Sequence, residues 1–167
     1  MRKKICYAQQ EPSIFKTSVL ENIRYGKIDA TDEECIEAAK KTDSLYLLEK
    51  EQNENDTNEK HQNKKLELSS GEKQKIAVTR IVLKDPVILL LDEVTTDLDK
   101  ESEKDIQRSL EKLSQNRTTI IITQQFDVIK KCDKIFVLDK GRIVEQGTHD
   151  ELMKLEKRYY TIYKYSK

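Results

Sequence analysis

An uninterrupted apolar run, Val87-Ile88-Leu89-Leu90-Leu91, ends directly in two carboxylates, Asp92-Glu93. A segment that is apolar at every position has no polar face to turn to water, which is the pattern of a strand buried on both faces in a parallel sheet. Parallel neighbours need crossover connections, so the run also demands helices around it. Asp85-Pro86 marks its start, and an amphipathic segment from Lys100 to Leu113 follows it. A second β-rich run, Thr118-Thr119-Ile120-Ile121-Ile122-Thr123, comes next. Strand, helix and strand in that order form a βαβ unit, and the fold class is α/β.

The rest of the chain supplies shorter signals. Ile5 to Gln9 reads as a strand that Pro12 ends. Val19 to Ile23 reads as a short helix stopping before Gly26, and Thr31 with Glu34 opens another at capping-box spacing. Ile36, Ala38, Ala39, Leu45, Leu47 and Leu48 give that region a helical apolar stripe. From Glu49 to Lys65 the chain is almost wholly polar, and a solvated loop is expected. Ser69 to Lys84 reads as a helix, with Ser69 and Glu72 forming a second capping-box pair. Asp139-Lys140-Gly141 joins two short strands as a hairpin with Gly141 in the left-handed region, and two helices beginning at Thr148 and near Arg158 close the sequence. There is no internal repeat.

Composition narrows the function classes. The 167 residues suit one domain or part of one. Charged residues make up 37% of the chain, but 31 basic and 31 acidic side chains cancel, so no global field draws it to nucleic acid or anionic lipid. The longest apolar run falls far short of the roughly 20 residues a membrane-spanning helix needs. The first residues lack the apolar region of a secretory signal, so a cytosolic setting is expected. Cys6, Cys35 and Cys132 are scattered, which disfavours disulfides and zinc and leaves three ordinary, mostly buried thiols. His61 and His149 have no neighbours suited to metal or acid–base work and are expected at the surface. Tyr159, Tyr160, Tyr163 and Tyr165 are expected to pack within a terminal helix, with an interaction stripe as the alternative.

Chemistry concentrates after the apolar run. Asp92 and Glu93 lie just past the carboxyl end of the expected strand, the edge where open α/β sheets place ligands. There a carboxylate such as Asp92 can hold Mg²⁺ while Glu93 polarises an attacking water in phosphoryl transfer. Taken alone, the pair could equally end a strand at the surface. Leu68-Ser69-Ser70-Gly71-Glu72-Lys73-Gln74-Lys75 opens a helix whose N-terminus can bind an anion, or is simply a capped helix.

Several motifs in one order carry a resemblance. Leu68 to Gln74 resembles the signature sequence of ATP-binding-cassette (ABC) proteins, and Leu89 to Asp99 resembles the Walker B motif running into the D-loop. Gln10-Glu11-Pro12, then Ile14-Phe15 and Glu21 to Gly26, is similar to the Q-loop and its exporter-type continuation. Gly141 to Leu152 resembles the tail of the same domain. The resemblance covers nearly the whole chain and favours a multidrug-exporter-like branch.

It implies a partial P-loop NTPase-type ABC ATPase domain with a small helical subdomain and a C-terminal β-hairpin and helices. Its parts would be residues 1–16 as strand and Q-loop, 17–67 as helical subdomain and polar loop, 68–147 as signature helix, Walker B, D-loop and switch region, and 148–167 as terminal helices. The resemblance implies ATP and Mg²⁺ as cofactors. It implies that Gln10 contacts Mg²⁺ and water, that Asp92 binds Mg²⁺, and that Glu93 is the catalytic carboxylate. Ser69, Ser70, Gly71 and Glu72 would form the signature that meets the γ-phosphate of ATP on a second ABC domain in a head-to-tail dimer, and Asp99 would cross that interface. Transmembrane domains of a transporter would be the other partners, placing the parent at the cytoplasmic face of a membrane; no nucleic-acid partner is expected.

The sequence also departs from the family. Gln124 stands where the family usually carries a catalytic-site histidine, and glutamine can donate a hydrogen bond to phosphate but carries no proton or charge to the reaction. Ser70 replaces a glycine, Glu72 a glutamine, and Thr96-Asp97 the more usual Ser-Ala. Glu72 would add negative charge where a phosphate should sit. None of the four glycines forms the Gly-x-x-x-x-Gly-Lys-Ser/Thr phosphate loop, Walker A, which the resemblance places upstream of Gln10. Losing the strand that leads into that loop is expected to leave Val87 to Leu91 as an unpaired, aggregation-prone edge and the isolated chain inactive.

Three readings follow. The first is part of an exporter's ATPase engine, not competent alone. The second is a non-catalytic remnant that lends its signature motif to another ABC subunit. The third, a chromosome-maintenance ATPase head, requires coiled-coil heptads that the Gln10 to Leu68 interval lacks.

Overall fold

The computed structural model describes residues 4–57 and 67–166. The chain divides into two compact units, Met1–Ile122 and Thr123–Lys167.

In the first unit a parallel sheet of three strands forms with β2 (Ile88–Asp92) between β1 (Ile5–Ala8) and β3 (Thr118–Ile122). The registers Ile5↔Ile88 and Ile88↔Thr118 run forward in step along both ladders. α5 (Lys100–Ser114) makes the crossover from β2 to β3, completing the expected βαβ unit. Its apolar stripe, Ile106, Leu110 and Leu113, packs with Leu89 and Leu91 of β2 and with Val78 and Ile81 of α4 (Ser70–Lys84). Helices thus cover one face of the sheet.

Two expectations about the apolar run need correction. β2 is not buried on both faces: Leu89 and Leu91 are buried, whereas Ile88 and Leu90 are only half-buried. The physical reason is that no element among the described residues of this unit covers the second face, where Leu90 lines up with Tyr7 and Ile120, both more than half exposed. Nor is the run an unpaired edge. β2 is hydrogen-bonded on both sides, and among the described residues the open edges belong to β1 and β3.

The helical part of this unit is α1 (Val19–Arg24), α2 (Asp32–Lys41), α3 (Tyr46–Thr57) and α4. The Thr31–Glu34 and Ser69–Glu72 capping boxes both form, each with its reciprocal pair of side-chain to backbone bonds. Val19, Ile23, Cys35, Ala39, Leu47 and Ile76 bury against one another as a second core. Beside it lies a buried hydroxyl cluster, in which Thr79 Oγ1 of α4 meets Thr42 Oγ1 at 2.7 Å and Ser44 Oγ at 2.9 Å. Pairing these hydroxyls with each other removes the cost of burying them unbonded.

The solvated loop expected over 49–65 is corrected up to Thr57, which α3 reaches; residues 58–66, His61 among them, lie outside the described residues. Glu, Lys and Gln are good helix formers, and polar side chains can be anchored as well as solvated. Glu51 accepts from the free N–H of Val19 at the start of α1, at 2.9 Å, and Lys50 pairs with Glu72 at 2.9 Å. Burial still raises the Glu51 carboxyl above the usual range, the Val19 bond opposing it.

The second unit holds α6 (Phe126–Ile129), the hairpin of β4 (Ile135–Asp139) and β5 (Arg142–Gly147), α7 (His149–Lys154) and α8 (Arg158–Tyr165). Asp139 pairs with Arg142, leaving Lys140 and Gly141 as a two-residue turn with φ of 46° and 74°. Both positive values are what a type I′ hairpin turn requires. Ile135, Val137, Leu152 and Tyr159 form its core. His149 is not a plain surface histidine: its Nδ1 lies 2.7 Å from the Tyr159 hydroxyl and its ring meets Tyr163 edge-on. Tyr159 is buried while Tyr165 is 88% exposed, so only part of the tyrosine set packs inward. Cys35 is buried, and Cys6 and Cys132 are half-buried free thiols.

Candidate functional site

The carboxyl end of the sheet carries the candidate residues. Asp92 is the last residue of β2 and Gln10 follows two residues after β1. Glu93 leaves the strand at φ 47° while its N–H still donates to the carbonyl of Ile122 at 2.9 Å. The backbone under Glu93 is therefore tied to β3, and its left-handed conformation turns the chain sharply away from the sheet. A second left-handed residue, Asp97 at φ 61°, turns it again before α5. Asp99 then caps α5, accepting from the N–H groups of Glu101 at 3.1 Å and Ser102 at 2.9 Å. The Ser102 hydroxyl and these N–H groups hold its carboxyl below the usual range.

Two contacts between segments far apart in sequence assemble the cluster. The Tyr7 hydroxyl donates to Asp92 Oδ2 at 2.8 Å, which pushes the Tyr7 phenol up and orients the carboxylate. Gln10 Nε2 donates to Asp97 Oδ2 at 3.1 Å, so the loop after β1 is bonded into the turn after β2. Neither Tyr7 nor Asp97 stood out in the sequence as a site residue. Alternation along β1 places Tyr7 on the face opposite Ala8, and its match to Leu90 becomes visible only once the register is known.

The Ser69 to Glu72 segment forms the N-terminus of α4. Ser69 Oγ accepts from the Glu72 N–H at 3.2 Å. Gly71 is buried, and a Cβ there would stand 2.4 Å from Ser102 Oγ and 3.7 Å from Asp99 Oδ2. The start of α4 thus lies against the start of α5, and Lys75 reinforces the contact with an ion pair to Asp105 at 3.0 Å. Ser70 is exposed at the mouth of the helix. Gln124 is exposed too, and belongs to the second unit.

Glu72 does not present a bare negative charge. Its Oε1 pairs with Lys50 at 2.9 Å and its Oε2 accepts from the Ser69 N–H at 2.8 Å. Burial works to raise its carboxyl, but the Lys50 bond and the Ser69 bond outweigh it and hold the group below the usual range. A carboxyl depressed by folding stabilises fully above its unfolded value, and that stability disappears as pH falls through the folded value. Glu72→Gln is therefore expected to cost about 1 kcal/mol in urea unfolding at neutral pH. The cost should shrink toward zero in acid, where the native carboxyl is itself protonated. A loss that is independent of pH would sink this account.

Two further side chains join α4 to the segments around Gln10. Gln74, buried, donates from Nε2 to the carbonyl of Gln9 at 3.1 Å. Arg80 donates to the carbonyls of Ser13 and Asn22, each at 2.7 Å, and to Asn22 Oδ1 at 2.6 Å, with Phe15 stacked 5.5 Å from its guanidinium. Burial lowers the Arg80 guanidinium. In the sequence Gln74 is marked as the end of the signature-like segment, whereas Arg80 reads as ordinary helix surface.

Among the described residues no group of His, Cys, Asp or Glu forms a multi-carboxylate metal cage, and no helix is long and apolar enough to cross a membrane. Oxygen donors at Asp92 and Gln10 are nevertheless the type that a hard divalent cation accepts, with water completing its shell. Asp92 uses one carboxylate oxygen for Tyr7 and keeps the other for such a role.

The sequence model of the ABC transporter family matches residues 1–96. ABC transporter B family member 13 of Arabidopsis thaliana is 42% identical over 160 residues, which is 96% of this chain and 13% of that protein. The ATP-dependent lipid A-core flippase of Desulfotalea psychrophila is 42% identical over 163 residues, 98% of this chain and 28% of that protein. The chain therefore spans between about an eighth and about a quarter of the length of these relatives. A bacterial Atm1-family ABC exporter solved with ATP bound superposes with a TM-score of 0.79 at 31% identity, covering 99% of this chain and 28% of the exporter.

Proposed function

Because this chain belongs to the ABC transporter family, we propose that it is the later part of an exporter's ATP-binding domain, coupling ATP binding and hydrolysis to transport at the cytoplasmic face of a membrane. The observation that carries the proposal is the Gln10–Asp97 bond, which draws the loop after β1 into the turn that starts at Asp92-Glu93. A site built from two parallel-strand ends is where an open α/β sheet receives its ligand.

In this reading Asp92 and the Gln10 side-chain oxygen hold Mg²⁺, which when bound offsets negative charge on the phosphate oxygens. Glu93 accepts a hydrogen bond from the attacking water and draws off its proton. Ser69, Ser70, Gly71 and Glu72 face ATP held by a second ABC domain: the Ser69 hydroxyl and the free N–H groups at the start of α4 donate to its γ-phosphate. Lys50 cancels the charge of Glu72 so that the anion is not repelled. Asp99 reaches the partner domain across the interface, and Gln124 donates a hydrogen bond to the phosphate. A polypeptide segment carrying a phosphate loop completes the site, and transmembrane domains convert its closure into export.

The test is Mg²⁺-dependent phosphate release by the parent protein in membrane vesicles, beside the same protein carrying Asp92→Asn. Loss of at least tenfold in turnover at fixed Mg²⁺, partly recovered by raising Mg²⁺, is expected. Turnover that ignores both Mg²⁺ and the substitution would overturn the assignment. Gln124 favours a second reading, a subunit that lends its signature helix without hydrolysing ATP itself. That reading predicts ATP-dependent binding to a complete ABC domain with no turnover at this chain's own site.

A further inference from the structure

Asp97 is an exposed aspartate held at φ 61° in the turn between β2 and α5. A side-chain-bearing residue in the left-handed region costs of order 1 kcal/mol and persists where its surroundings hold it. What its side chain touches is Gln10, whose Nε2 donates to Asp97 Oδ2 across 87 residues of sequence. A carboxylate accepts hydrogen bonds and donates none, so it admits only the nitrogen end of the Gln10 amide. The amide is planar and two-ended, and committing its nitrogen to Asp97 turns its oxygen the other way. That oxygen accepts no hydrogen bond among the described residues.

The main chain is held as well. Gln74, 1% exposed, donates to the carbonyl of Gln9, the residue immediately before Gln10. Gln74 thus ties down the chain beside Gln10, and the orientation of the Gln10 amide is left to its side-chain partner. Asp97 is that partner. An amide nitrogen cannot ligate a hard cation, whereas an amide oxygen can.

We propose that Asp97 is a positioning residue that locks the Gln10 amide with its oxygen presented to the divalent cation. The inference rests on the reading that Gln10 and Asp92 hold that cation. Two substitutions grade the orientation. Asp97→Gly removes the carboxylate and suits the left-handed backbone, so it introduces no strain. Asp97→Asn keeps the size and tolerates the same backbone, but its amide can bond either end of the Gln10 amide, so about half of the population holds the oxygen the right way round.

The experiment uses the full ¹⁵N-labelled chain titrated with Mn²⁺ alone, following paramagnetic broadening of the Gln10 side-chain amide and the Asp92 backbone amide. In the unsubstituted chain both signals are expected to broaden together. Asp97→Gly should raise the Mn²⁺ concentration needed at the Gln10 amide roughly fivefold, as the loss of one hydrogen bond implies, with a smaller change at Asp92. Asp97→Asn should stay within about twofold of the unsubstituted chain. If Asp97→Gly leaves Gln10 unchanged, or Asp97→Asn is as weak as Asp97→Gly, the positioning role is overturned while the metal reading survives. If Mn²⁺ reaches neither Gln10 nor Asp92 in the unsubstituted chain, both fall together.

Discussion

Glu93→Gln in the parent protein is expected to lower steady-state ATP turnover by about a thousandfold while nucleotide affinity stays within about twofold. The substitution keeps the size of the side chain and its ability to accept a hydrogen bond from water, but removes the charge that draws a proton from it. It also leaves the backbone alone: Glu93 is tied to β3 through its N–H bond to Ile122, and that bond does not involve the side chain. The loss should therefore appear in the chemical step. Phosphate release measured beside equilibrium nucleotide binding decides the matter. A fall of less than tenfold would mean that another group activates the water.

The largest expected effect on stability comes from Gly26→Ala. A Cβ at Gly26 would stand 2.2 Å from the backbone oxygen of Arg80 and 2.9 Å from its carbonyl carbon. Nothing there is a flexible side chain that could step aside, so α1 and α4 must move apart. That movement pulls directly on Arg80, whose guanidinium ties Ser13 and Asn22 to α4. A cost of about 3 kcal/mol is expected, at the upper end of overpacking effects, read as a lowered urea midpoint at unchanged m-value. A cost under about 1 kcal/mol would show that the loop before α2 shifts freely and that the Arg80 contacts are not rigid.

What the sequence revealed and what it concealed divide by range of interaction. Capping boxes at Thr31–Glu34, Ser69–Glu72 and Thr148–Glu151 are local, and all three form with both reciprocal bonds. The Lys140-Gly141 turn is local too, since its backbone needs are met by its own residues. Residue patterning also sets Gln10 after a strand, Ser69 at a helix start and Asp99 just before a helix, as the structure has them. The contacts themselves were not legible. Tyr7 and Asp92, or Gln10 and Asp97, meet only because β1 and β2 pair in one register. The helix through Thr57 was concealed for the same reason: its anchors at Val19 and Glu72 lie about twenty to thirty residues away, beyond the reach of a propensity argument. In α3 polarity serves attachment rather than solvation alone. In the apolar run hydrophobicity does not mean complete burial: the strand is apolar throughout and still has one face that the described residues of its unit leave half-covered.

That half-covered face, bordered by the open edge of β3, has a consequence for how such a domain can be put together. An unpaired parallel edge beside a surface bearing Ile120 and Ile122 supplies hydrogen-bonding groups and an apolar floor at the same place. A strand laid there would gain ladder bonds and burial in one step, whichever polypeptide it came from. The edge of β3 is therefore a seam suited to complementation: a strand on a separate molecule could join this sheet by docking as well as one joined by a peptide bond.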